Sequence, residues 1–220
     1  MHSTLLCALP DRPAGTCVVL MPGAYHESKD FIAAGFARAA REARTPVDLL
    51  LVDPELAHLT DRSILSALHE QLIPKARSAG CHQIWLGGIS LGGFLALLYA
   101  ERHPDTCDGL LLLAPYPGNR MILGDIEHFL AVTDQSAPEP AELAEERRIW
   151  RFIRRAPPGS PTVRLGFGSS DRFAAAHRLM ARSLPAAHVD EVPGGHEWPV
   201  WLQLWKNFLT DLNPLLAETE

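Results

Sequence analysis

Short β-rich runs alternate with longer stretches of helical periodicity along nearly the whole chain, and that alternation restricts the fold more than any other feature. The runs are Thr16 to Met21, Val47 to Val52, Gln83 to Leu86, Gly109 to Leu113, Thr162 to Phe167 and His188 to Val192. Each is apolar or β-branched and bounded by Gly, Pro or Asp. Leu110 to Leu113 is continuously apolar, as suits a strand covered on both faces. The intervening stretches Lys29 to Glu42, Asp61 to Ala79, Leu91 to Arg102, Ala174 to Leu184 and Glu197 to Leu212 read as helices. This order predicts an α/β fold: a mostly parallel central sheet of about six or seven strands flanked by helices. The seventh is an additional N-terminal strand around Thr4 to Leu9.

Local signals mark several boundaries. Thr60 with Ser63 offers capping oxygens ahead of the second helix, Gly80 follows its last turn, and Pro74 inside it predicts a kink. Tyr116 to Pro161 separates two strands by more than a crossover needs and reads as an insertion into a single domain spanning residues 1–220. Within it Ile122, Ile126, Phe129 and Leu130 have helical spacing, Pro138 and Pro140 interrupt, and Ala141 to Arg155 resumes as a helix. A small helical lid over about 116–161 is expected, with Phe129 and Trp150 among its apolar residues.

At 220 residues and 47% hydrophobic, the chain is long enough to bury one substantial core. A formal charge of −6 provides no basic excess for a nucleic-acid backbone or an anionic membrane surface, which favours a small-molecule partner. Cys7, Cys17, Cys81 and Cys107 have neither zinc-site spacing nor the density of a disulfide scaffold and read as reduced thiols. With no cationic leader at the N-terminus and no long apolar run, a cytoplasmic protein without a membrane span is expected.

The chemistry-bearing segment is Gly88-Ile89-Ser90-Leu91-Gly92, which follows the strand at Gln83 and opens the helix at Leu91. A turn this tight holds a serine strained with its oxygen exposed, and it demands missing side chains two residues before and two after. It also sets Ser90 at a helix N-terminus, where free N–H groups favour developing negative charge and Leu91 N–H becomes an oxyanion donor. The lesser alternative is that Ser90 is only an N-cap in a Gly-rich turn.

On these residues the chain resembles the α/β-hydrolase family, in which the triad runs in the order nucleophile, acid, histidine. The resemblance places the acid at Asp171, in Gly168-Ser169-Ser170-Asp171 after the next-to-last strand. It places the histidine at His196, in Gly194-Gly195-His196 after the last. Outside that context Asp171 reads as a loop or cap aspartate and His196 as a surface-loop histidine. His69, His103, His128 and His177 fall in helical stretches and His188 opens a strand, so none of these has the post-strand position that reaches the C-terminal edge of the sheet. By the same resemblance the second oxyanion donor is the N–H of Ala24, with Tyr25 next. Here Pro22-Gly23 stands where many relatives carry His-Gly. His26, in that loop, is expected to line the pocket, as is Trp198.

The resemblance implies a serine hydrolase cleaving a carboxylic ester of short to medium acyl chain through an acyl-enzyme, with no metal and no cofactor. A thioesterase, an acyltransferase or a perhydrolase fits the same triad, and a non-catalytic binding protein is the alternative outside catalysis. Arg147, Arg148, Arg151, Arg154 and Arg155 suggest docking of an anionic substrate. Glu142, Glu145 and Glu146 ahead of them favour ordinary surface charge arranged along a helix dipole. Trp198, Trp201 and Trp205 read as core of the last helix or as a dimer contact, leaving the protein a monomer or a homodimer.

Overall fold

The continuous apolar run at Leu110 to Leu113 forms a strand buried on both faces, and the rest of the architecture is laid on either side of it. The structure is a computed structural model that describes residues 1–9, 11–43, 46–119, 126, 145–155 and 159–217. Seven strands form one sheet: β1 (His2–Leu6), β2 (Thr16–Met21), β3 (Asp48–Asp53), β4 (Gln83–Ile89), β5 (Gly109–Leu113), β6 (Thr162–Gly168) and β7 (Val189–Val192). Their order is β1-β3-β2-β4-β5-β6-β7. Only β1 is antiparallel to its neighbour; β2 to β7 are mutually parallel, so their C-terminal ends share one edge. The expected N-terminal strand is thus present but begins and ends earlier than Thr4 to Leu9. The buried Asp48 carboxyl holds the loop after it, accepting the N–H groups of Ala8 (2.9 Å) and Ala14 (3.1 Å).

Two expected helices depart from a single regular helix. The first divides into α1 (Ser28–Ala34) and α2 (Phe36–Glu42) because Gly35 turns left-handed at φ 96°. The second is preceded by an unexpected short helix, α3 (Leu56–Thr60), and begins only at α4 (Ser63–Ala67). It then passes through a π turn at Leu68–Leu72 into α5 (Ile73–Ser78). Pro74 has no N–H to give to the ordinary ladder, and the widened turn absorbs that loss without a break. Its leading cap is Asp61, whose carboxyl accepts the Ser63 N–H at 2.9 Å. Gly80 closes its end at φ 95°, as expected.

Helix α6 (Leu91–Arg102) coincides with its expected range and is buried along most of its length. Helix α7 (Glu145–Arg155) is the described part of the expected second helix of the insertion; Phe129, Pro138 and Pro140 lie outside the described residues. Ile149, Trp150, Phe152 and Ile153 of α7 are buried, and Arg148 pairs with Glu101 of α6. Arg151 is only 4% exposed, which corrects the reading of this arginine group as surface charge. An amphipathic helix packed on α6 draws its central arginine inward with its apolar neighbours.

Helices α8 (Ala174–Ala181) and α9 (Trp198–Ala217) complete the chain. Trp201 and Trp205 are buried in the core, the latter stacked on Phe36 and donating its indole N–H to the Phe36 carbonyl at 3.1 Å. Trp198 is half-buried against Phe31 and Phe36. Cys17, Cys81 and Cys107 are buried free thiols, and Cys7 is exposed. Among the described residues, no helix is long and apolar enough to cross a membrane.

Truncating Leu112, which is fully buried on β5, should cost about 2–5 kcal/mol in urea unfolding. Ile32→Ala, at a residue 47% exposed on α1, should cost within about 0.5 kcal/mol. Equal losses would show that β5 does not carry the core.

Candidate active site

Strand β4 ends at Ile89 and α6 begins at Leu91, so Ser90 alone makes the reversal, at φ 51° and ψ −111°. A non-glycine residue in such a conformation carries roughly 1–3 kcal/mol of strain and persists only where its surroundings over-determine it. Here the Ser90 N–H donates to Leu113 of β5 at 3.0 Å. Its carbonyl accepts the N–H groups of Phe94 (3.1 Å) and Tyr116 (2.8 Å). Both flanking glycines are forced by contact rather than by dihedral freedom. A Cβ on Gly88 would lie 2.4 Å from the Met21 carbonyl oxygen, and one on Gly92 would lie 2.2 Å from the same atom. The end of β2 therefore rests directly on the turn.

That contact also fixes the loop after β2. His26 N–H donates to the Gly23 carbonyl at 3.2 Å, closing a tight turn through Ala24 and Tyr25, with Tyr25 left-handed at φ 65° and its side chain in solvent. Ala24 is exposed as well, so the loop beside Ser90 presents backbone rather than bulk.

Asp171 and His196 leave β6 and β7 at the same edge. Their loops are bonded to each other through Ser169 N–H to the Val192 carbonyl (2.7 Å) and Ser170 N–H to the Gly194 carbonyl (2.9 Å). Asp171 divides its two oxygens: Oδ1 accepts the Phe173 N–H at 2.8 Å, and Oδ2 accepts from His196 Nδ1 at 2.7 Å. The Asp171 side chain is fully buried and that of His196 is 13% exposed. A carboxylate only accepts, so the pair assigns the proton to Nδ1 and leaves the Nε2 lone pair free, as a base for a hydroxyl requires. Burial pushes the Asp171 carboxyl up. Hydrogen bonds from His196 and from the Phe173 N–H, with the nearby imidazoles, more than offset this and hold it below its ordinary value.

Ring contacts enclose the imidazole. Phe173 meets His196 edge to face at 5.6 Å and Trp201 meets it at 5.0 Å. His26 packs on Trp198 at 5.2 Å and on Trp201 at 6.0 Å, which brings two of the expected lining residues within one ring of His196. Neither His26 Nδ1 nor Trp201 Nε1 finds a partner among the described residues, although both are buried. Such atoms cost about 1–3 kcal/mol each and concentrate where function retains them. Trp150, expected to face a substrate, is buried and donates its indole N–H to the Pro117 carbonyl at 2.8 Å, tying α7 to the loop after β5. Phe129 lies outside the described residues.

Three residues escaped the sequence reading. Trp201 has a signal, since it follows Trp198 by three positions on one helix. Phe173 follows Asp171 by two, which flags it only once Asp171 is read as a site residue. His177 was set aside as a helical histidine, yet it is fully buried and its Nε2 lies 2.8 Å from the carbonyl of Pro115, just past the C-terminal end of β5. Helix α8 starts at that edge, so its first turns remain there. Among the described residues, no group of three acidic, histidine or cysteine side chains is disposed to hold a metal ion.

A sheet with this strand order, and a strained serine between β4 and α6, defines the α/β-hydrolase class. A family model described as the alpha/beta hydrolase family matches residues 18–218, and the chain belongs to that family. Among solved structures it is similar to Est1E from Butyrivibrio proteoclasticus, at 14% identity and TM-score 0.66, over 98% of this chain and 94% of that one. It is also similar to the fluorophosphonate-binding serine hydrolase FphF of Staphylococcus aureus, at 15% identity and TM-score 0.61, over 92% and 84%. A third is a thermophilic esterase from Thermogutta terrifontis, at 18% identity and TM-score 0.54, over 98% and 93%. At these identities the likeness is one of fold. A comparison with curated proteins gave no match.

Because the folded pKa of Asp171 is depressed, the stability it contributes is complete above the unfolded value, near 3.8, and is lost as pH falls through the lower folded value. Asp171→Asn should therefore lower the urea midpoint most at neutral pH, with the gap to wild type narrowing below about pH 4. A gap independent of pH would mean that the charge on Asp171 adds nothing.

Proposed function

We propose that this protein is a serine hydrolase that cleaves a carboxylic ester through an acyl-enzyme. The observation that carries the reading is the buried Asp171–His196 pair, closed at 2.7 Å on the sheet edge where Ser90 is held in its strained turn. Ser90 Oγ attacks the acyl carbonyl while His196 Nε2 takes its proton, and Asp171 steadies the imidazolium. The N–H groups of Leu91, at the start of α6, and of Ala24, with Tyr25 next to it, hold the oxyanion. His196 then returns its proton to the leaving alcohol and activates the water that releases the acid. The sequence of steps requires neither a metal nor an organic cofactor.

Supporting this reading are the neighbours whose names describe an esterase and a fluorophosphonate-binding serine hydrolase. The unpaired polar atoms of His26 and Trp201 beside the imidazole support it as well, and in this reading His26 and Trp198 line the substrate site. In this reading the acyl group is of short to medium length, and α7, tied by Trp150 to the Pro117 carbonyl after β5, supports a lid beside the site.

Wild type should hydrolyse short p-nitrophenyl esters and should be labelled at Ser90 by a fluorophosphonate. Ser90→Ala should lose both, with kcat falling by about four powers of ten or more. Unchanged turnover in that variant would sink the mechanism. A panel of esters, thioesters and amides of graded acyl length should show fastest turnover with short to medium acyl esters, and preference for a thioester or a long chain would redirect the substrate assignment.

A further inference from the structure

Between the arm that carries the acid and the turn that carries the nucleophile lies one peptide group, Pro115–Tyr116. Its carbonyl lies 2.8 Å from His177 Nε2 on α8, and its N–H donates to the Ser90 carbonyl at 2.8 Å. A carbonyl only accepts, so Nε2 must carry the proton of this imidazole and be the donor. We infer that His177 is a positioning residue for Ser90, acting through the Pro115–Tyr116 peptide; this rests on the reading of Ser90 as the nucleophile.

Several observations converge on this assignment. The peptide is planar and stiff, so fixing its carbonyl direction fixes the direction of its N–H. Hydrogen bonds at the two ends of one peptide also polarise and strengthen each other. Pro115 is gripped from the other side by α6: a Cβ on Gly93 would meet Pro115 Cβ at 3.0 Å, leaving little room for the peptide to tilt. His177 is itself immobilised, fully buried against Phe167 at 5.1 Å and Phe173 at 6.2 Å. Burial lowers its pKa below the ordinary imidazole value, which keeps it neutral with a single N–H. Its Nδ1 has no partner among the described residues, so the bond to Pro115 is the one side-chain hydrogen bond this imidazole makes among them.

The same helix begins three residues after Asp171, whose Oδ1 accepts the N–H of its N-cap residue Phe173. His177 thus links the acid loop to the carbonyl side of the nucleophile, and a displacement of either is felt by the other. An apolar replacement of equal bulk would fill the space but leave the Pro115 carbonyl without its donor, loosening the peptide's hold on Ser90.

The test compares three variants. His177→Gln carries an amide N–H to about the reach of Nε2, His177→Asn carries the same amide one methylene short, and His177→Leu carries none. Near-ultraviolet circular dichroism identifies the folded variants, and kcat and KM are measured on a short p-nitrophenyl ester alongside the rate of fluorophosphonate labelling at Ser90. His177→Gln should stay within about twofold of wild type, whereas His177→Asn and His177→Leu should lose about tenfold or more in kcat with KM unchanged and labelling slowed in parallel. A folded Gln variant as slow as the others, or a Leu variant as fast as wild type, overturns the assignment. If His177→Leu does not fold, the Gln and Asn pair, matched in polarity, decides. Failure of wild type to label at Ser90 would instead overturn the serine-hydrolase reading itself.

Discussion

The carbonyl at the end of β2 approaches the Ser90 turn so closely that no side chain fits between them, and much of the candidate site is arranged around that approach. Met21 is paired with Gly88 across β2 and β4, and its oxygen sits where the Cβ of either Gly88 or Gly92 would be. Backbone against backbone is the only packing that fits there. Because β2 is pressed onto the turn, the loop that follows it, Pro22 to His26, is delivered beside the Ser90 turn. The strain at Ser90 is sustained by the same crowding together with three backbone hydrogen bonds, so the turn is rigid before any substrate arrives.

The other two arms are attached by similar means. Asp171 and His196 come from different strands, yet backbone hydrogen bonds between their loops fix their separation before the side chains meet. Aromatic edges from Phe173 and Trp201 then prevent the imidazole from swinging. The Pro115–Tyr116 peptide connects His177, on the helix that follows Asp171, to the carbonyl of Ser90. All of these connections require parallel strands, since only then do the ends of β2, β4, β5, β6 and β7 lie at one edge.

Much of this was legible without coordinates. Strands read well because a buried parallel strand is a short apolar run with turn residues at its ends; β2 and β5 match their expected limits, and β4 and β6 are extended at their C-terminal ends. Helices read less well where the backbone rather than the side-chain pattern decides. Periodicity ran unbroken through Gly35 and Pro74, but the first stops a helix by turning left-handed and the second recruits a π turn. Arg151 and His177 show the limit of local pattern in two ways. A charged residue on a helix looks exposed from its type, and a histidine inside a helix gives no sign that the helix starts at the sheet edge; only the packing of neighbouring elements shows what each is buried against.

By itself the sequence determined the order of strands and helices, the demand for small residues around Ser90, and the placement of Asp171 and His196 after later strands, because these follow from local chemistry and chain order. Only the tertiary structure decided that the two loops bond to each other, that Trp150 is spent on Pro117, and that a histidine from the interior of α8 reaches the peptide holding Ser90. Those contacts join residues far apart in the chain, and no local pattern carries their distances.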